Sequence, residues 1–477
     1  MAIGSARSSE VSLARELART SLAVDLGDFD AAVVAKARIC LLDFLSCAFE
    51  ARNHDWSRQA IGIAREIENG ATIIGTGKLS APGDAAFANA TLGHGLVRED
   101  MHAASICHHG VVIWPTLLAL SERTPASGAT FLAAAIVGYE AGAQIGRALF
   151  NADLARLYRP TGLVAPLGAA LAGSYALGLT EDAAISAVSI AANTSCGLNE
   201  WPHAGGSEMY FHPGFAARNA IAAIELAEAG AYASETILEG EAGLFAAYRR
   251  QPASAGLSLF AGREPEIMAV YNKPVPACNF AQTAAQAALR AALELGTSED
   301  IETVLIRVPE AAARYPGCDS KGPYRNALQA KMSIPFSVAA VLARGAIEED
   351  NYAHIDDCRI LHLVGRTDLQ SDPTFTAAFP AQQGAEIVIG MQNGMIIRHH
   401  LEDVIAATPQ EIRDRFRRAS ADLIGDSRAM RLEELVDNCA ALSDCSVIAA
   451  QCRLWPMEQQ ATSNVRISGG EQKTGIQ

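Results

Sequence analysis

Charge and aromatic rings are both scarce in this chain: 19% of its 477 residues are Asp, Glu, Lys or Arg, and 6% are Phe, Trp or Tyr. No run of Lys and Arg occurs and the net formal charge is −15, which argues against nucleic acid, because neutralising phosphates needs clustered cations. The ten cysteines form no CxxC pair and sit mostly in apolar segments. They fit reduced, buried thiols of a cytoplasmic protein better than disulfides or a zinc site, so no metal is expected. The first twenty residues carry charges throughout and lack an apolar core, so no secretory signal is expected. The 21 uncharged residues between Arg159 and Glu181 reach the length of a membrane span. Pro160, Pro166 and abundant Ala and Gly keep them weakly hydrophobic, so a buried helix is expected and no membrane contact. GxGxxG after a strand, a Walker loop, a GxSxG elbow and internal repeats are also missing.

Burial capacity is plentiful, since half of the residues are hydrophobic, with Ala and Gly prominent. That balance favours closely packed helices, and the length suggests two or three domains. Helical spacing dominates from about Ser9 to Tyr248, with helices expected over Phe29–Phe49 (capped by Asp28), Ser127–Phe150, Thr180–Ala192 and Phe215–Ala229. The character changes after Phe260. Ile301–Val308 reads as a strand, and two β-rich runs around Gln392-Asn393-Gly394 read as a hairpin. Thr408-Pro409-Gln410-Glu411 is a capping box that reopens helical sequence. The expected fold is mainly α: a helical domain over 1–265 and 403–457, an inserted α+β domain over 266–402, and a disordered polar tail over 458–477.

Four of the eleven histidines fall within Gly93–Pro115, together with Arg98, Glu99 and Asp100, between apolar segments. Imidazoles exchange protons near neutrality and an arginine can hold a carboxylate with two parallel hydrogen bonds, so the cluster suits proton transfer; a solvated helix connection is the alternative. Arg159 stands at a helix entrance, where backbone N–H groups also favour anions. His212 precedes another helix, a position where structural histidines are common. Lys273 lies between stiffening prolines at the apparent domain boundary, placed to present an ammonium into an interdomain cleft. Imidazoles and cations with few free carboxylates suit a small polycarboxylate that loses a proton beside a carboxylate.

The segments LLDFLSCAFEA, AFANATLGHGLVREDMH with His108 and Pro115, SGATFLAAAIVGYE, RPTGLVAPLGAALAGSYALGL, FHPGFAARNAIAAIELAEAG, KPVPAC and KMSIPFSVAAVLARG together resemble the MmgE/PrpD family. That family includes 2-methylcitrate dehydratase, cis-aconitate decarboxylase and iminodisuccinate epimerase. The resemblance implies a cofactor-independent enzyme, a homodimer, with a helical domain, a smaller α+β lid domain and a site between them that performs carbanion chemistry on small polycarboxylates.

Departures from the family pattern fall in the site. Arg98-Glu99-Asp100-Met101-His102 replaces a DFDDT-like acidic segment, Arg159 stands for a histidine before Pro-Thr, and Met209 replaces a lysine three residues ahead of His212. His108 and Lys273 match family positions. On this reading His108 and His102 exchange the proton with Lys273, Tyr158 or Asp100 in support, while Arg98, Arg159, His212 and Lys273 hold carboxylates. A dehydratase or decarboxylase is the first expectation, an epimerase the second, and a noncatalytic binding relative the third.

Overall fold

The computed structural model describes residues 11–249, 257–261, 264–295 and 297–455. The tail expected from 458 onward lies outside them. No helix among these residues is long and apolar enough to cross a membrane.

Helices form where the apolar spacing predicts them, with small shifts at their ends. The first long one runs from Ala31 to Glu50, and its N-cap is Asp30, whose carboxylate accepts from the N–H groups of Ala32 and Val33. The expected cap, Asp28, instead closes the short 3-10 turn Leu26–Asp28. The uncharged stretch after Arg159 becomes the buried helix Pro160–Ala176, packed against Gly128–Leu149. A Cβ on Gly168 would stand 2.4 Å from the Gly138 carbonyl oxygen, so glycine lets the two backbones touch. The helical half also contains a strand that periodicity does not predict: Glu66–Thr72 pairs antiparallel with Leu79–Ser80. Its first four residues are all exposed, so no in-out alternation marks it.

Apolar burial among the described residues separates into two large cores, beside a small cluster of Cys47, Ala51 and Leu96. One draws on Ala14–Val270 and Ala407–Leu454, the other on Val275–Leu401 with Val97, Trp201, Met209 and Tyr210. The second core backs a four-stranded sheet in the order Thr367–Ser371, Ile301–Val308, Ala385–Met391, Ile396–Leu401, parallel at the first pair and antiparallel at the others. Alternating burial along Ala385–Met391 turns one face of that strand toward the helix Gln282–Ala292. Gly394 takes φ +84 in the turn between the last two strands, and the Thr408 capping box opens Pro409–Ile424 as its sequence requires. The molecule is thus mainly α, with a smaller α+β part.

A small pairing positions the site. Met101 pairs with Tyr271 and His102 with Val270 in two-residue antiparallel strands. This register lays Lys273, just beyond the pair, beside the segment Val97–Asp100.

Candidate active site

His108, Arg159, Val97, Met209, Cys278 and Tyr315 contribute to a narrow cleft between the two cores, with about 20 Å³ of free space, room for a single water. Val97 and Ile106 flank it in left-handed backbone, at φ +56 and +53. For β-branched residues such φ values cost on the order of 1–3 kcal/mol each, and such strain persists where the surroundings over-determine it. At Val97 one compensation is visible: its carbonyl accepts a hydrogen bond from the Lys273 ammonium.

The His108 ring is fixed from behind. Its Nδ1 lies 2.8 Å from the Asp100 carbonyl oxygen and 3.2 Å from Glu99 Oε1, so Nδ1 carries the proton and Nε2 is left with a bare lone pair. His94, at the C-terminus of the helix Pro82–His94, donates from Nδ1 to the same Glu99 oxygen. Its Nε2 accepts from Arg159 Nη2 at 3.2 Å and sits 2.8 Å from Met209 Sδ. Glu99 is buried, and its other oxygen, Oε2, has no hydrogen-bond partner among the described residues.

Burial sets the protonation states. Desolvation, reinforced by Lys273 and Arg159, holds His108 well below its ordinary range despite Glu99, and desolvation likewise lowers His94. Both rings are therefore neutral at pH 7. Glu99 resists its own desolvation because His94, His108 and Lys273 surround it; its carboxyl is held well below the usual range and stays ionised. Lys273, fully buried, is brought down to about 8 by desolvation, partly countered by Glu99. It keeps its charge at neutrality with little to spare.

The structure brings together His108, Arg159 and Lys273 of the residues singled out from sequence, and separates the others. Arg98 turns away: its guanidinium bonds both oxygens of Glu50, at 3.2 and 2.6 Å, and borders a different cleft with Glu349 and Arg415. His102 has both nitrogens occupied, by Ser105 Oγ at 2.8 Å and Glu266 Oε2 at 2.9 Å, so it anchors a turn and has no lone pair to offer. The Asp100 carboxyl points into the helical core, where it accepts from the Tyr139 hydroxyl; only its backbone carbonyl serves His108. Tyr158 packs edge-on against Tyr248 with ring centroids 5.1 Å apart, outside the cleft. His212 is mostly buried behind Gly197, lowered to about 3 by desolvation and by Arg159, and its Nδ1 has no partner among the described residues.

Sequence reasoning passed over His94, Glu99, Cys278 and Tyr315. His94 and Glu99 were available as part of the same dense segment, but their convergence depends on the turn at Val97. Tyr315 and Cys278 reach the cleft from the second core; Cys278 closes the KPVPAC segment, whereas nothing local marks Tyr315. Among the described residues no group of three His, Cys, Asp or Glu side chains is placed to hold a metal ion.

Fold and site together define a two-part, mainly helical protein with a buried polar cleft between its parts. Residues 15–255 match the MmgE/PrpD N-terminal domain and residues 275–441 the MmgE/PrpD C-terminal domain, so the chain belongs to the MmgE/PrpD family. It is 32% identical over 235 residues, 47% of either chain, to cis-aconitate decarboxylase of Aspergillus terreus. It is 25% identical to the cis-aconitate decarboxylase-like protein oryM of Aspergillus oryzae, across 89% of this chain and 93% of that one. A mitochondrial 2-methylcitrate dehydratase of Yarrowia lipolytica is 25% identical, across 76% of this chain and 74% of its own length.

Proposed function

We propose that the protein is a lyase, a dehydratase or decarboxylase, that acts without a cofactor on a small citrate- or aconitate-like polycarboxylic acid. The observation that carries this reading is the bare Nε2 of a neutral His108 in a cleft shared with Arg159, with the Lys273 ammonium hydrogen-bonded to the carbonyl of Val97, one of the cleft's lining residues. Membership in a family with dehydratase and decarboxylase relatives supports it.

In a dehydration, His108 Nε2 takes the proton from the carbon next to a carboxylate, and that electron pair becomes the new C=C bond. The hydroxyl on the neighbouring carbon leaves as water with a proton from the Lys273 ammonium. Arg159 holds the carboxylate whose charge grows as the C–H bond breaks, an electrostatic contribution that gains from exclusion of water. In a decarboxylation Arg159 holds a remaining carboxylate while CO₂ departs and its C–C electron pair stays on carbon, and the Lys273 ammonium gives that carbon a proton and is then reprotonated from solvent. Incubation with citrate, 2-methylcitrate and cis-aconitate, followed by NMR, should show loss of water or CO₂. His108→Ala should lower turnover by about a hundredfold or more while largely sparing binding. Unchanged turnover in that variant contradicts the assignment.

An epimerase is the second reading. It rests on one bare base and one charged acid near the same carboxylate, His108 Nε2 to take the proton and the Lys273 ammonium to return one. Deuterium uptake from D₂O without loss of water or CO₂ would select it. Homodimerisation and a cytoplasmic site of action belong to the same proposal, and sedimentation velocity tests the former.

A further inference from the structure

Cys278 and Cys318 are 40 residues apart in the chain, yet their sulfurs stand 3.7 Å from each other in the second core. One short segment holds both backbones in place. The Cys278 N–H donates to the Lys331 carbonyl at 2.9 Å, and the Cys318 carbonyl accepts from the Ile334 N–H at 3.0 Å. The two side chains differ in their access to the site. Cys278 lines the His108 cleft and keeps 5% of its surface exposed, whereas Cys318 is fully buried and is not among the lining residues. They differ in acidity as well. A hydrogen bond from the Cys318 thiol, with Lys273 and Arg159 nearby, holds Cys278 below the ordinary thiol range, while burial pushes Cys40, Cys47, Cys107 and Cys452 above it.

We propose that Cys278 and Cys318 form a peroxide-reactive dithiol, in which Cys278 meets hydrogen peroxide in the cleft and Cys318 closes a disulfide. The Cys278 thiolate attacks one peroxide oxygen: an S–O bond forms, the O–O bond breaks, and the departing hydroxide takes a proton from solvent to become water. Cys318 then attacks the sulfenic sulfur. The S–S bond forms, the S–O bond breaks, and the hydroxyl leaves as a second water with the Cys318 proton. Two thiols are oxidised and one peroxide is reduced, so no further reactant is needed. An S–S bond is about 2.0 Å long, which leaves the sulfurs roughly 1.7 Å to close between them. Room for a single water suits an oxidant as small as hydrogen peroxide and excludes a bulky one such as glutathione disulfide. Resting on the lyase reading above, the same bond regulates turnover. It ties a cleft-lining sulfur to one outside the cleft, and it removes a negative group that supports the charge of Lys273.

The test starts from reduced full-length protein treated with hydrogen peroxide, blocked with N-ethylmaleimide, digested and read by mass spectrometry. The expected product is a cross-link between the peptides that carry Cys278 and Cys318, reversed by dithiothreitol and not produced by glutathione disulfide. In Cys318→Ser the closing thiol is missing, so Cys278 should stop at the sulfenic acid and be captured by dimedone. The parent protein decides the matter even where that variant does not fold. Both peptides still reduced after the exposed Cys196 and Cys358 have been oxidised overturns the proposal, and so does a cross-link made equally fast by glutathione disulfide. Turnover is read separately: kcat/KM should fall about tenfold or more on cross-linking and return with dithiothreitol. A cross-link with kcat/KM unchanged overturns the regulation. A cross-link in a protein that releases neither water nor CO₂ from any acid, reduced or oxidised, upholds the dithiol and removes the lyase.

Discussion

One oxygen of Glu99 receives the Nδ1 nitrogens of both His94 and His108, the latter at 3.2 Å. A single buried carboxylate thereby fixes the tautomer of two neutral rings, and the base in the cleft owes its bare Nε2 to that arrangement and to the Asp100 carbonyl. Glu99→Gln keeps the size but can turn an N–H toward the rings, which favours the opposite tautomer. The expected result is a fall in kcat on the order of a hundredfold, with a much smaller change in KM. Equal changes in both would mean that Glu99 binds substrate.

Lys273 gives the reaction an alkaline limit. Its ammonium, lowered to about 8, is protonated below that pH and loses its charge above it, so kcat/KM for an anionic substrate should fall as pH rises through 8. Lys273→Met should depress kcat/KM at pH 7 by roughly ten- to a hundredfold and abolish that limb. Lys273→Arg, charged at every accessible pH, should move the limb upward even where it costs geometry. A limb that stays at pH 8 in both variants assigns it to another group.

Much of the fold was legible because it is written in local chemistry: the apolar spacing of Ala31–Glu50, the Asn393-Gly394 turn and the Thr408 capping box each act within a few residues. The site was legible only in part. Density of imidazoles pointed to the right segment, yet the left-handed turn at Val97 and the pairing of Met101 with Tyr271 decide which side chains face the cleft. Those two features turn Arg98 and the Asp100 carboxyl away from the cleft and Glu99 toward His94 and His108, so adjacent residues with similar sequence signals end in different environments. A β-branched valine gives no hint of positive φ, and the partner residue at 271 is too distant for any periodicity to register.

Asp100 makes stability depend on pH in a direction opposite to that of a salt-bridged acid. Desolvation raises it from 3.8 to about 7 despite the Tyr139 hydrogen bond, so the folded protein keeps a proton that the unfolded chain releases between those values. Its contribution to stability is complete below the unfolded pKa and disappears as pH rises through 7, at roughly 1.4 kcal/mol for each pH unit between the two pKa values. Asn has no such proton and can still accept from Tyr139. Thermal unfolding of Asp100→Asn beside the parent, from pH 5 to 9, should show the variant gaining relative stability with rising pH and levelling off above about 8. A difference that is independent of pH removes the assignment.

Gly110 links packing to chemistry at the same carboxyl. It opens the helix Gly110–Arg123, and a Cβ there would stand 2.1 Å from the Tyr139 hydroxyl and 2.6 Å from Asp100 Oδ2. Neither neighbour has room to yield, because Tyr139 and Asp100 are buried and Tyr139 also accepts from Trp114 Nε1 at 3.0 Å. Gly110→Ala should therefore cost about 1–3 kcal/mol, the range for overpacked cores, with the denaturant midpoint as the measure. Displacement of Asp100 carries its carbonyl with it and loosens His108, so kcat should fall as well. Gly27→Ala, with nothing within 4 Å of the added carbon, should change neither quantity appreciably. A Gly110→Ala protein as active as the parent would show that the His108 ring does not depend on the Asp100 carbonyl for its orientation.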